Sequence, residues 1–167
     1  MFKPICIAAA LLAAGAGVAS VAQAAPSSDE AAVRALEAQF AAAASAKDVD
    51  GIMKVYAPDI FVFDVVPPRQ YVGAAAYRKD WEEVMSGFKG PVKFELTDLA
   101  VQVEGPVAWS HSIQHVSGTD PAGKPSDMTV RVTDVYRKTA DGWRIVQEHV
   151  SVPVDLATGK PDLQSKP

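Results

Sequence analysis

The sequence of 167 residues is poor in the residue types on which several common protein chemistries depend. Its single cysteine excludes a disulfide-stabilised scaffold and a cysteine-rich zinc site. Acidic residues outnumber basic residues by 20 to 16, so the chain lacks the positive charge that holds phosphate groups, and we expect no nucleic-acid partner. The hydrophobic fraction of 49% and the charged fraction of 22% are those of an ordinary globular domain.

Sequence motifs for cofactors and for nucleophilic catalysis are also missing. There is no glycine-rich nucleotide loop, no serine elbow and no zinc-binding helix, and the three histidines do not have the spacing of a metal-binding motif. We therefore expect neither a metal nor another cofactor. The chemistry has to come from ordinary acidic, hydroxyl and imidazole side chains.

Residues 1–24 have the three parts of a secretory signal peptide. A lysine at position 3 precedes an uncharged apolar run, and Ala22-Gln23-Ala24 forms a small-x-small cleavage site. The apolar run covers about fifteen residues, fewer than the roughly twenty that a membrane helix needs, and no second long run follows. We expect an exported protein, periplasmic or secreted, with no membrane segment after cleavage; an uncleaved N-terminal anchor is the alternative.

The hydrophobic periodicity of the remaining chain changes once, from helical to alternating. Three helices are predicted first, beginning near Ser27, Val49 and Ala74, with a β-rich run at 60–66 between the second and the third. Four strands are predicted after Pro91, joined by turn signals, at 92–103, 107–116, 128–138 and 143–152. This order indicates an α+β domain, with helices packed on one face of a mostly antiparallel sheet. We place this domain at residues 25–155 and expect a frayed tail at 156–167.

Two aspartates interrupt the most apolar stretches. Asp64 ends the run Phe61-Val62-Phe63, and Asp134 shares a strand face with Val132 and Tyr136. A carboxyl group buried in such surroundings has a raised pKa and becomes a candidate general base or a neutral donor. The alternative for Asp64 is that it points outward and caps the turn at the following proline pair.

The strand at 107–116 presents two different faces. One face carries Trp109, His111, Ile113 and His115, and we expect this face, with its larger side chains, to turn toward the helices. His111 and His115 then lie about 13 Å apart along the strand, too far apart to share a metal by themselves. On the last strand either Glu148 or His149 faces the interior, because adjacent residues alternate between the two faces.

The segment from Tyr56 to Asp64 that runs on to Gly73, together with residues 131–138 and 143–151, resembles the nuclear transport factor 2-like superfamily. Within it the similarity is greatest to the SnoaL-like and ketosteroid-isomerase-like branch. The resemblance implies a cone-shaped fold of three helices on a curved sheet, and a homodimer. The fold alone does not fix an activity, because it carries isomerases, cyclases, dehydratases, hydrolases and binding modules.

The resemblance to ketosteroid isomerase also implies roles for individual residues. Asp64 falls on the proton-shuttling aspartate, Asp134 on the oxyanion-hole aspartate, and Tyr56 on a supporting tyrosine. Phe40 stands where that enzyme has its oxyanion tyrosine and Trp81 replaces another tyrosine, so steroid isomerisation is not expected. The positions that the resemblance places along the pocket are listed together: Phe40, Tyr56, Trp81, Trp109, Ile113, His115, Val132, Tyr136, and Glu148 or His149.

These observations lead to three hypotheses. The first is an acid–base enzyme acting on a small apolar carbonyl compound, with Asp64 as base and with Asp134 and His111 as donors. The second is a module that binds a small molecule without converting it. The third is a dimeric scaffold whose cavity has no function of its own.

Overall fold

The computed structural model describes residues 27–164, so the predicted signal peptide lies outside the described residues. Helix α1 spans Ser28–Ser45, α2 spans Val49–Met53 and α3 spans Ala74–Ser86. The side chain of Ser27 caps α1 by accepting a hydrogen bond from the backbone N–H of Glu30 at 3.1 Å. The strands are β1 at Tyr56–Phe63, β2 at Tyr71–Val72, β3 at Lys93–Glu104, β4 at Val107–Thr119, β5 at Pro125–Thr139 and β6 at Gly142–Ser151.

The six strands form one sheet in the order β2-β1-β6-β5-β4-β3. The four long strands β3 to β6 make an antiparallel meander, as their turn signals predict, and β1 joins β6 in parallel. The predicted α+β class with helices before a mostly antiparallel sheet is confirmed. Strand β2 and the parallel pairing were not predicted, and β1 begins four residues earlier than expected, at Tyr56 rather than at Ile60.

The helices cover one face of the sheet, which we call the inner face. The apolar stripe of α1, including Val33 and Phe40, packs on this face together with Tyr77 and Trp81 of α3. Strand β4 contributes small and polar residues to the inner face, at alternate positions from Ala108 to Val116. Among the described residues, no helix is long and apolar enough to span a membrane.

The chain after β6 folds back on the sheet. The backbone N–H of Thr129 on β5 donates to the carbonyl of Leu163 at 2.9 Å, and Asp162 donates to Pro153 at 2.8 Å. The tail therefore supplies a partner to β5 where β6 has already ended. The expectation of a frayed tail is wrong for residues 156–164, because backbone hydrogen bonds and a bridge between Val154 and Pro161 hold them.

Two valines on neighbouring strands provide a test of this packing. Val62 on β1 is fully buried, whereas Val72 on β2 is 63% exposed. We expect Val62→Ala to lower the free energy of unfolding by about 2 kcal/mol, because two methyl groups leave the core. Val72→Ala is the matched control and should change it by less than about 0.5 kcal/mol. Urea unfolding measures both, and equal losses would contradict the assigned faces.

Candidate active site

A pocket opens between α3 and the inner face of the sheet. Its volume is about 70 Å³, which is space for about two water molecules at their volume in the liquid, or for the carbonyl end of a small organic molecule. Aliphatic and aromatic side chains make most of the wall, and a small number of polar groups interrupt it, as in sites for small organic ligands. The polar residues of the wall are Asp64, Tyr77, Asp80, Trp81, Gln114 and Glu148.

Asp64 lies at the edge of the pocket, immediately after the end of β1. Its Oδ1 accepts hydrogen bonds from the backbone N–H groups of Val65 and Val66, and its Oδ2 accepts one from the hydroxyl of Tyr77 at 3.5 Å. Partial burial raises the pKa of Asp64, while these three donors oppose the rise. Both sequence interpretations therefore hold in part: Asp64 caps the following turn and also lines an apolar pocket.

Glu148 is the most enclosed acid of the pocket wall. The hydroxyl of Tyr56 donates to its Oε2 at 2.8 Å, and the hydroxyl of Tyr77 donates to its Oε1. Burial raises the pKa of Glu148 to about 7 against these two donors. The open question about β6 is thereby answered: Glu148 faces the interior, and His149 faces outward, where its ring contacts Phe63.

A second group of buried polar residues lies behind the pocket wall. Asp134 on β5 stands opposite Glu148 in the register of the two strands and is 1% exposed. Nearby, the hydroxyl of Tyr136 donates to Glu37 of α1 at 2.7 Å, and Ser110 shares a hydrogen bond of 2.7 Å with the same hydroxyl. Desolvation, followed by the negative charges of Glu148 and Glu37, raises the pKa of Asp134. Since Asp134 does not line the pocket, it and Asp64 do not face each other across one cavity.

Asp80 joins the pocket wall from α3. Its Oδ1 lies 2.8 Å from the hydroxyl of Tyr71, which also donates to the carbonyl of Pro67 at 2.9 Å. Burial raises the pKa of Asp80 to about 6, and the charge of Asp64 adds to the rise. These contacts connect α3 to the loop that follows Asp64.

The predicted orientation of β4 is wrong. Trp109 is 41% exposed and His111 is exposed, and Ile113 and His115 share their outer face. The imidazole of His115 lies 3.6 Å from Glu95 and 3.5 Å from Asp127 on that face. The inner positions are taken by Ser110, Ser112 and Gln114, and the hydroxyl of Ser110 shares a hydrogen bond with that of Tyr136. His111 therefore cannot donate to a ligand beside Asp64.

The remaining predicted pocket residues are buried, and only some of them reach the pocket. Trp81 and Glu148 line it, while Phe40, Tyr56, Val132 and Tyr136 lie behind its wall. The ring of Phe40 packs edge-on against Trp81, with ring centroids 5.5 Å apart. No group of three histidine, cysteine or acidic residues in the range 27–164 is arranged to hold a metal ion.

Four residues of the pocket wall and of the buried group behind it have no role predicted from the sequence. They are Glu37, Tyr77, Asp80 and Gln114. The burial of Glu37 could have been predicted, because it follows Val33 by four residues and so falls on the apolar side of α1. It interrupts an apolar helix face in the same way that Asp64 interrupts an apolar strand. Gln114 was missed because its strand was assigned the opposite orientation.

The sequence matches the family model of the SnoaL-like domain over residues 33–155. A solved nuclear transport factor 2-like protein of unknown function from Pseudomonas putida is 32% identical, covers 83% of this chain and 96% of its own, and superposes with a TM-score of 0.74. None of the curated proteins matches the chain.

Two more distant structures share the fold. A protein provisionally named a dehydratase of the nuclear transport factor 2-like family, from Streptomyces avermitilis, is 21% identical over 78% of this chain and 100% of its own, with a TM-score of 0.68. A ketosteroid isomerase-like protein from Erwinia carotovora atroseptica is 18% identical over 74% of this chain and 95% of its own, with a TM-score of 0.63.

The buried acids predict how stability depends on pH. A carboxyl group whose pKa is raised in the folded state binds its proton more tightly there, so its stabilising contribution is present at low pH and is lost as the pH rises. For Glu148 the loss runs from its ordinary pKa of 4.5 to about 7, and Asp80 acts in the same direction. We expect the free energy of unfolding to fall by about 2–3 kcal/mol between pH 5 and pH 8.

Urea unfolding at the two pH values measures this fall, and the variant Glu148→Gln should reduce it by about half. Glu82→Gln, on the exposed side of α3, is the control for the loss of one carboxyl group and should leave the fall unchanged. Stability that rises from pH 5 to pH 8 in the natural protein would contradict the assignment.

Proposed function

The chain belongs to the SnoaL-like domain family, and we propose that it is an exported acid–base enzyme that moves a proton next to the carbonyl group of a small apolar molecule. The observation that carries the proposal is Asp64, a partly buried acid with a raised pKa at the edge of an apolar pocket. Export is supported by the signal-peptide pattern of residues 1–24.

Asp64 is suited to be the base because it is the acid of the pocket that ionises most easily. It is more exposed than Glu148 or Asp80, and two backbone N–H donors stabilise its charge. Its negative charge in turn raises the pKa values of Glu148 and Asp80. Two carboxyl groups with separated pKa values divide the roles of base and acid between them.

The proposed reaction starts when the carboxylate of Asp64 removes a proton from the carbon next to the carbonyl. The C–H bond breaks, an O–H bond forms on Asp64, and the electron pair moves onto the carbonyl oxygen as an enolate. In a β,γ-unsaturated carbonyl compound the electron pair of the enolate is shared with the C=C bond, and return of the proton to the γ-carbon gives the conjugated isomer. In a β-hydroxy carbonyl compound the enolate instead expels hydroxide from the β-carbon, protonated as it leaves, and gives the dehydrated product. Glu148, with a pKa of about 7, is the acid of the pocket that still carries a proton near neutral pH.

The wall of the pocket limits the substrate to compact and largely apolar molecules. Valines, methionines and Phe94 enclose a volume of about 70 Å³, and no basic side chain lines it. A charged or highly polar ligand would lose its hydration without compensation. The substrate class that fits is therefore a small carbonyl compound that is apolar around its carbonyl group.

A second candidate function is binding without conversion. Phe40 occupies the position that the family resemblance gives to the oxyanion tyrosine, and it has no hydroxyl group to donate. A site with a base but no donor for the enolate loses several kcal/mol of transition-state stabilisation, so it would bind its ligand and release it unchanged.

Proton exchange separates the two candidates. The protein is incubated in D₂O with a panel of small ketones, including cyclohexanone and 3-cyclohexen-1-one, and deuterium incorporation beside the carbonyl is followed by NMR. We expect catalysed exchange, and we expect Asp64→Asn to lower its rate by at least about 100-fold, because the base is removed. The melting temperature of this variant should stay equal or rise, because a functional buried acid costs stability.

Asp59→Asn is the matched control, since Asp59 lies on the same strand but is exposed and faces Arg137 at 3.5 Å. It should exchange at the natural rate. Exchange that persists in Asp64→Asn would show that Asp64 is not the base. Ligand-induced thermal stabilisation with no exchange in the natural protein would favour the binding module.

We also propose that the protein is a homodimer that pairs through the outer face of the sheet. This face carries Trp109 and Phe63, both about 40% exposed, beside the exposed polar residues Arg131 and Thr133. Large apolar side chains on a sheet face are typical of an interaction surface.

Sedimentation across a tenfold range of concentration tests the homodimer. The natural protein should sediment as a dimer, and Trp109→Asp should shift it to the monomer, because a charge would be buried in the interface. Val72→Asp, at an exposed edge position, is the control and should remain dimeric. A natural protein that sediments as a monomer at every concentration would contradict the proposal.

A further inference from the structure

The indole of Trp81 carries a hydrogen-bond donor that the fold leaves unused. Its Nε1 is closed off from solvent and has no hydrogen-bond partner among the described residues, although the side chain forms part of the pocket wall. A buried N–H group without a partner destabilises the folded protein, because it has given up its hydrogen bond to water. The tryptophans at 109 and 143 do not have this property, since Trp109 is on the outer face and the Nε1 of Trp143 donates to Asp29 at 3.3 Å.

The three tyrosine hydroxyls around the pocket are already engaged. Tyr56 and Tyr77 both donate to Glu148, and the hydroxyl of Tyr71 is held by Pro67 and Asp80. A ligand that took one of these donors would break a hydrogen bond to a buried carboxyl group. The indole N–H of Trp81 can donate to a ligand without breaking an existing hydrogen bond, because it has no partner in the described part of the chain.

The position of the indole is fixed by its neighbours. Tyr77 and Trp81 are four residues apart on α3, with ring centroids 6.0 Å apart, and Phe40 packs edge-on against the indole from α1. The hydroxyl of the same Tyr77 contacts Asp64. Tyr77 therefore links Asp64 to the indole. The wall of this one small pocket thus contains a base, Asp64, and a residue with a free hydrogen-bond donor, Trp81.

We propose that the indole N–H of Trp81 is the donor that holds the acceptor oxygen of the ligand, and that it thereby selects small apolar molecules with a carbonyl group. This inference rests on the proposed function for the use of the site, although it concerns binding. Because Nε1 is enclosed, a side chain of the wall has to move before the oxygen reaches it; Met85, one helical turn from Trp81 in the same wall, has the flexible chain suited to that movement. The bound indole supplies the enolate with the hydrogen bond that Phe40 cannot give.

The test compares two ring molecules of nearly equal shape. Cyclohexanone has an acceptor oxygen, and methylenecyclohexane has a CH₂ group in its place. Their affinities are measured by NMR titration of the ¹⁵N-labelled protein, in which Trp109→Phe and Trp143→Phe assign two of the three indole N–H signals and leave the third to Trp81. We expect cyclohexanone, and not methylenecyclohexane, to move the Trp81 indole signal downfield.

The variants provide the quantitative result. The affinity ratio is the affinity for cyclohexanone divided by the affinity for methylenecyclohexane. We expect this ratio to be about tenfold lower in Trp81→Phe than in the natural protein, because only the ketone loses a hydrogen bond. Trp109→Phe is the matched control and should leave this ratio within about twofold. The affinity for methylenecyclohexane corrects for any change in the shape of the pocket.

Four results would overturn the inference, three of them in the natural protein and Trp81→Phe. They are a Trp81 signal that does not move with saturating cyclohexanone, a ratio that Trp81→Phe leaves unchanged, and failure of cyclohexanone to bind the natural protein. A ratio that falls in Gln114→Leu instead would make the amide of Gln114 the donor and equally overturn it. The signal of the natural protein decides the question even where Trp81→Phe does not fold.

Failure of this inference is distinct from failure of the proposed function. Catalysed exchange that depends on Asp64, combined with an unchanged affinity ratio in Trp81→Phe, would overturn only the role of the indole. If the affinity ratio falls in Trp81→Phe but the natural protein catalyses no deuterium exchange, only the catalytic function is overturned. The protein would then be a carbonyl-binding module.

Discussion

The structure depends on one buried carboxyl group, Glu148, and on the two tyrosine hydroxyls that hold it. Tyr56 comes from β1, Tyr77 from α3 and Glu148 from β6, so these hydrogen bonds connect the parallel strand pair to the helix above it. An acid buried without partners would destabilise the domain by several kcal/mol. The requirement to satisfy Glu148 therefore fixes the position of α3, and with it one wall of the pocket.

The burial of Glu148 also explains why the acids of the site differ in how readily they ionise. Glu148 and Asp134 are taken out of water and have raised pKa values, whereas Asp64 stays at the pocket edge with two backbone N–H donors beside it. Burial and the negative charge of Asp64 both raise the pKa of Glu148. The more deeply buried acid therefore keeps its proton to a higher pH.

The orientation of β4 shows where reasoning from sequence failed. The rule that the face with larger side chains turns inward is sound for a core filled only by apolar groups. Here the interior also contains Tyr136, which is bonded to Ser110 and to Glu37, and such a core needs small polar residues on the adjoining strand. Trp109 and His111 were placed inside on size alone, and both lie outside.

The sequence by itself determined the order of helices and strands, the meander of β3 to β6, and the presence of acids in apolar runs, because hydrophobic period and turn residues are local properties. Alternation shows which residues share a strand face, but only the tertiary structure decided which face is inside. It also decided that Glu148 rather than His149 points inward, and that the N–H of Trp81 finds no partner. Those outcomes depend on neighbours that are distant in the chain, and no local pattern encodes them.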